Sequence, residues 1–341
     1  MVPSMTGDSK NQRVLSGIQP SGLIHLGNYF GAIQQHMELQ HEFPGECLYF
    51  IADYHALTTL HDADALRKNV FDLAATYLAM GLDPEKALLF RQSDVPEVTE
   101  LTWLLTTVTG MGLLERAVSY KDKVSQGIRA SVGLFTYPIL MAADILAYDS
   151  TMVPVGKDQV QHVEMTRDMA TRFNETFASK SKPALTLPRY RLSKAPYVPG
   201  IDGRKMSKSY GNTIWVFRSG KKLRKRVGQI VTDSTPMGQP LDPDKSVTHE
   251  LYKLFASEAE AEEVAGFYRA GQRDGQPFGY GHAKQLLAAK IDAHFAEARA
   301  RYDQLQADPQ LVEDVLQRSA AKARALARAT VDRCKRACGL R

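Results

Sequence analysis

Hydrophobic and polar positions divide the chain into a first half that alternates between two periods and a second half with one. Arg13-Val14-Leu15-Ser16-Gly17-Ile18 is an apolar run of strand length. After it, Phe30, Ile33 and Met37 recur at helical spacing, which predicts a buried strand followed by an amphipathic helix. Cys47 to Asp53 is a second such run. The next helix carries Leu66, Val70, Leu73, Tyr77 and Leu78 on one face, with Asp62 or Asp64 as its cap and Gly81 at its end. Ala87 to Phe90 predicts a third strand, and Pro96 suits the start of a helix running through Val98 to Val108. Tyr120 to Gly133 is polar and loop-like. Phe135 to Tyr148 is an almost wholly apolar helix. Thr151 to Gly156 predicts another strand, feeding the polar turn Lys157 to His162 that opens a helix. Strands alternating with helices define an α/β class, a doubly wound parallel sheet covered on both faces. Lys180 to Gly203 is Pro-rich and reads as loop. Past Asn212 only helices are expected, at Leu223 to Val231, His249 to Phe255, Ala259 to Ala270, His282 to Tyr302 and Leu311 to Gly339.

Length and composition narrow this picture. A chain of 341 residues exceeds what one core usually supports, so two domains are expected. A disordered tail is expected over 1–12, an α/β domain over 13–210, and an all-helical domain over 211–341, whose last helix has room to pack back on the first domain. With 44% hydrophobic and 24% charged residues the composition is globular. No apolar run reaches the ~18 residues of a membrane span, and the polar N-terminus lacks a signal-peptide core, which points to the cytoplasm. Three cysteines (Cys47, Cys334 and Cys338) cannot build a disulfide framework, and no metal set surrounds the last two. The net charge of +5 is unevenly placed. Arg218, Lys221, Lys222, Arg224, Lys225 and Arg226 follow one another without an acid. From Arg318 onward Lys322, Arg324, Arg328, Arg333, Lys335, Arg336 and Arg341 face one acid, Asp332. Two basic stretches in one half suggest a polyanion partner, or solvated helix faces.

The candidate chemistry lies in three places. Gln19-Pro20-Ser21-Gly22 follows the first strand, where backbone N–H groups and a helix start favour phosphate. His25 and Asn28 add donors there, and Gly27 leaves room for a ligand against the backbone. Far downstream, Gly203-Arg204-Lys205-Met206-Ser207-Lys208-Ser209 puts two ammonium groups on a Gly-bounded loop, which suits a polyphosphate whose charge grows during reaction. Between them, Asp144 is the one charge in an apolar helix, and a buried carboxylate is costly unless something hydrogen-bonds to it. A small-molecule nucleotidyltransferase could share the first motif but has no use for the lysine loop.

Pro20 to Asn28 and Lys205 to Ser209 resemble, in order and layout, the two signatures of class I aminoacyl-tRNA synthetases, usually spelled HIGH and KMSKS. The closer resemblance is to the bacterial tryptophanyl-tRNA synthetase family. Ser16 to Gly22, Gly27-Asn28-Tyr29, Leu140 to Leu146, Val153 to Gly156 and Lys205 to Ser209 match it. The similarity starts near Val14 and weakens in the helical half. It implies a Rossmann-like catalytic domain plus an all-helical tRNA anticodon-binding domain. It further implies a cytoplasmic homodimer that activates L-tryptophan with ATP and Mg2+ carried by the nucleotide, releases pyrophosphate and charges tRNA(Trp). Gln19, Pro20, Ser21, Gly27 and Asn28 would hold ATP, with His25 at the phosphates. Gly156, Lys157 and Asp158 would meet the nucleoside, and Val198 would border the adenine. Lys205, Met206, Ser207, Lys208 and Ser209 would serve the phosphates. Lys205, Lys208, His25 and Asn28 would carry catalysis. Tyr137 and Gln159 would receive the amino group. Asp144 would accept the indole N–H, with Met141, His55, Val153, Val155 and Leu15 around the ring. Leu15 stands where bacterial members commonly carry Phe, and it cannot reach a phenolic hydroxyl as the Tyr of the tyrosyl relatives does. The family's occasional iron–sulfur cluster needs four cysteines, so neither a cluster nor a structural metal is expected. A catalytically idle relative that only binds tRNA would be free to lose His25, Asp144, Lys205 and Lys208, and all four are present.

Overall fold

A computed structural model describes residues 12–117, 127, 130–193 and 196–340, with the backbone alone at 158. The expected 1–12 tail, apart from Gln12, and most of the expected Tyr120 to Gly133 loop lie outside the described residues. Five parallel strands form one sheet: β1 Val14–Ile18, β2 Cys47–Ile51, β3 Ala87–Arg91, β4 Met152–Val155 and β5 Arg189–Leu192. Their order is β3-β2-β1-β4-β5. Val14 pairs with Cys47 on one side and with Met152 on the other. Four strands match the apolar runs. The fifth corrects the loop expected from Lys180 to Gly203. Arg189-Tyr190-Arg191-Leu192 leaves three of its four side chains exposed, so it has no apolar signal and becomes a strand by pairing with β4 at the sheet edge.

This order places a topological switch between β1 and β4, where an open α/β sheet parts its connections to opposite sides and leaves a crevice at the strand ends. The turns there are Gln19–Gly22 and Gly156–Gln159, both singled out by their polar character. The core beneath packs Leu15, Leu48, Phe50, Phe90, Val153 and Val155 against the Glu97–Thr106, Val132–Leu146 and Val160–Phe177 helices. The Val132–Leu146 helix begins three residues before the expected Phe135. Ser131 sets that start, its Oγ accepting the Leu134 N–H at 3.1 Å.

The chain forms two compact units, and they do not divide at 210. One holds Met1–Gly22, His36–Lys194 and Ala307–Arg341; the other holds Leu23–Gln35 and Ala195–Gln306. The last helix, Pro309–Ala337, therefore belongs to the sheet unit. It buries Val312, Val315, Leu316, Ala320, Ala323, Ala327, Val331 and Cys334, an apolar stripe at three- and four-residue spacing. Four of its cations are engaged by carboxylates within that unit. Arg324 and Arg328 bond the buried Glu97, Lys335 pairs with Glu100, and Arg333 Nη2 donates to Asp149 Oδ1 at 2.6 Å. The expectation that this basic stretch meets a polyanion is thereby corrected for these four side chains. In the second unit the expected His282 to Tyr302 helix is two, Tyr280–His294 and Ala296–Ala307. They part at Phe295, which is buried edge-on against Tyr29. A two-residue hairpin, Gln272–Arg273 with Gln276–Pro277, also interrupts a half expected to be wholly helical.

Candidate active site

In the sheet unit the site is centred on Asp144. It lies in the last turn of an apolar helix and is 1% exposed. Its carboxylate is already met by two side chains. His55 Nε2 stands 2.8 Å from Oδ2, and Gln92 Nε2 donates to Oδ1 at 2.8 Å and Oδ2 at 2.9 Å. Gln92 is itself fixed, because its Oε1 accepts the Tyr54 N–H at 3.1 Å. Burial pushes the Asp144 carboxyl above the usual carboxylate range, against hydrogen bonds from His55 and Gln92 that favour the charged form. An ionised carboxylate offers about four acceptor positions, so these bonds leave capacity for one more donor. His55, expected beside an aromatic ligand, bonds the carboxylate, and Gln92 escaped sequence reasoning. The one available signal was its place at the end of β3, a strand end beside the crevice. Tyr137 is joined to His162, its hydroxyl 2.8 Å from Nε2. Leu15, Val153 and Val155 are buried in the same apolar cluster, and Met141 packs against it. Pro20 is buried, Gln19 and Ser21 are exposed, Gly156 and Lys157 are exposed on the turn after β4, and Gln159 is half-buried.

In the second unit the two motif segments lie side by side. His25 and Trp215 form an antiparallel bridge. The Leu26 N–H donates to the Ile214 carbonyl at 3.0 Å, and the Val216 N–H to the Ile24 carbonyl at 3.1 Å. Asn28 Oδ1 accepts the His25 N–H at 3.2 Å and so holds the turn. Gly27 is closely approached from within the protein. A Cβ there would stand 3.0 Å from the His25 ring and 3.4 Å from Met206 Cβ, so its bareness lets His25 and the lysine loop close over it. His25 is buried, and among the described residues its Nδ1 has no partner. Burial, then the Lys208 ammonium, lowers its pKa to about 4, so the ring is neutral at physiological pH. The Lys208 pKa is lowered to about 8 by burial.

The lysine loop is stapled by Asn212, which sequence reasoning treated only as a boundary. Its Oδ1 accepts the Ser207 N–H at 2.8 Å, and its Nδ2 donates to Asp202 Oδ1 at 2.7 Å and to the Lys205 carbonyl at 3.1 Å. Gly200 lets this amide in, since a Cβ there would sit 2.2 Å from Nδ2. Met206 N–H donates to the Val198 carbonyl at 2.9 Å, which places the expected adenine-bordering Val198 against the loop. Lys205 and Ser209 are exposed and Lys208 half-buried.

A parallel sheet with polar turns at its switch point, and a Lys-Met-Ser-Lys-Ser loop beside a His-x-Gly-Asn turn, define a class I aminoacyl-tRNA synthetase. The family model described as tRNA synthetases class I (W and Y) matches residues 8–296, and the chain belongs to that family. It is 53% identical over 330 residues to the tryptophan–tRNA ligase of Rhodopirellula baltica, covering 96% of this chain and 100% of that one. It is 49% identical to the enzyme of the same name from Fusobacterium nucleatum, over 96% of this chain and 98% of that one. Its fold superposes with a TM-score of 0.89 on a tryptophanyl-tRNA synthetase from Campylobacter jejuni complexed with ADP and tryptophan. That relative is 45% identical, with 96% of this chain and 100% of the other covered. Among the described residues no helix is long and apolar enough to cross a membrane.

Proposed function

We propose that the chain is a tryptophan–tRNA ligase, activating L-tryptophan with ATP and transferring it to tRNA(Trp). The observation that carries this reading is the approach of the lysine loop to the His25 turn, with Met206 against Gly27 and His25 bridged to Trp215 just beyond the loop. Tryptophan carboxylate attacks the α-phosphorus of Mg·ATP, forming tryptophanyl-adenylate and releasing pyrophosphate. A hydroxyl of the terminal tRNA ribose then attacks the acyl carbon, forming the ester and releasing AMP. No protein nucleophile is needed, because positioning and charge stabilisation carry the transfer. Gln19, Pro20, Ser21, Gly27, Asn28, Gly156, Lys157, Asp158 and Val198 hold the nucleotide, whose magnesium arrives as part of the substrate. Lys205 and Lys208 meet the charge that grows on pyrophosphate, while neutral His25 gives a hydrogen-bonding ring without a second positive charge. Asp144 takes the indole N–H as its further donor, with Tyr137 and Gln159 at the amino group. Exposed Lys221, Lys222, Arg224 and Lys225 on the Gly220–Gly228 helix meet tRNA phosphates. The protein works in the cytoplasm as a homodimer.

The test is ATP–pyrophosphate exchange with each of the twenty amino acids. Tryptophan alone should support exchange, and should do so without tRNA; equal exchange with tyrosine, or none with tryptophan, would sink the assignment. Lys208→Ala should lower kcat by about two to three decades, the cost of a missing donor to developing charge, with little change in tryptophan affinity.

A further inference from the structure

We propose that Trp215 is a positioning residue for adenylate formation, its indole face holding the Lys208 ammonium beside His25 before the triphosphate arrives. This rests on the reading above of the 205–209 loop as the phosphate-handling loop. Lys208 Nζ lies 5.8 Å from the centroid of the Trp215 ring, within the ~6 Å reach of a cation–π attraction, for which indole is the best of the aromatic rings. The His25 and Trp215 rings are 6.1 Å apart and tilted by 60°. Both residues are tied by the backbone bridge between their segments, so the ring is set by the motif ribbon and not by the loop it steadies. The ammonium also bears electrostatically on His25, which places it at the turn assigned to the phosphates.

A lysine on a loop has substantial rotamer entropy to lose. A half-buried aromatic face reduces that loss at the moment of binding without offering a carboxylate that would neutralise the charge or repel phosphate. An acidic partner would hold Lys208 more firmly and at the same time cancel the charge the leaving group needs. The indole face steadies the cation without cancelling its charge, which is the property the site requires.

Two measurements test this. In exchange kinetics, Trp215→Leu should lower kcat on the order of fivefold, with the KM for tryptophan unchanged. Trp215→Phe, which keeps an aromatic face, should recover most of that loss. Equal impairment of the two variants, or no impairment in Trp215→Leu, would overturn the proposal. The second measurement keeps Trp215 in place and so does not depend on its variants folding. The chain has two tryptophans, so in a Trp103→Phe background the emission reports on Trp215 alone. Without substrate tryptophan, Lys208→Met should shift that emission, and pyrophosphate should shift it in the Trp103→Phe protein and not in the Lys208→Met double variant. An emission that ignores Lys208→Met overturns the proposal alone. A Lys208→Met protein with full exchange activity overturns the reading of the loop and the proposal together.

Discussion

Asp144 and His36 show how differently two buried titratable side chains can be placed. Asp144 keeps a charge-favouring set of donors from His55 and Gln92, and an indole N–H would complete it, because that group donates and does nothing else. Tryptophan should therefore be preferred over its benzothiophene analogue by several kcal/mol, on the order of a thousandfold or more in kcat/KM. Asp144→Ala should lose most of that preference, and Gln92→Leu part of it. A preference that survives Asp144→Ala would make the carboxylate structural. His36 is sealed between Tyr49, stacked at 4.5 Å, and the Tyr77 hydroxyl, 2.9 Å from Nδ1. Burial lowers its pKa to about 3. The unfolded chain takes up a proton near pH 6.5 that the folded chain refuses, so the stability this group contributes is present above that pH. It is lost as pH falls toward 3. Between pH 7.5 and 5 the native protein should lose about 2 kcal/mol more than His36→Phe, as read from denaturant melts at both pH values. Parallel losses would refute the assignment.

At the scale of elements, the helices Pro309–Ala337 and Gly220–Gly228 are both rich in cations and differ in what surrounds them. The first lays an apolar stripe on the sheet unit and places Arg324 and Arg328 on Glu97. Burial raises the Glu97 carboxyl, but the hydrogen bonds from Arg324 and Arg328 outweigh it and hold the group below the usual range. Arg324→Gln with Arg328→Gln leaves that carboxylate uncompensated and should cost about 2–3 kcal/mol of stability, discounted for the partial exposure of the arginines. The salt dependence of tRNA binding should not move. On the Gly220–Gly228 helix the opposite holds. Neutralising Lys221, Lys222 and Lys225 together should leave melting unchanged, weaken tRNA binding and flatten its slope against log salt by roughly 0.7–0.9 per lost phosphate contact. An unchanged slope would mean those lysines only solvate the helix.

For the whole molecule, the sheet unit leaves Trp103, Met111 and Val132 at 68%, 62% and 79% exposed. They lie on the Glu97–Thr106, Met111–Glu115 and Val132–Leu146 helices, which pack together within that unit. Large apolar side chains left in water on neighbouring helices mark a protein contact, and the homodimer proposed above supplies one. Trp103→Glu with Val132→Glu should convert the dimer to a monomer in sedimentation equilibrium, with the melt of the sheet unit shifted by no more than a few degrees. A native chain that sediments as a monomer would remove this assignment and leave the chemistry untouched.

The amino-acid sequence alone determined four of the five strands, the α/β class and the two motif segments, because each is written locally. A buried parallel strand is a continuous apolar run, and a phosphate-handling loop needs its glycines, lysines and serines in immediate succession. What it could not express are features completed by a distant partner. β5 has no apolar pattern and exists through β4. Gln92 and Asn212 are ordinary amides until the fold brings Asp144 to the first and the Ser207 amide to the second. The charges of the last helix looked free in one dimension, since their carboxylates lie more than a hundred residues away. That Gly27 also lets Met206 of the distant lysine loop come close was likewise not written locally. Local periodicity follows from backbone geometry, whereas pairing, burial and charge compensation depend on which remote segments the core brings together.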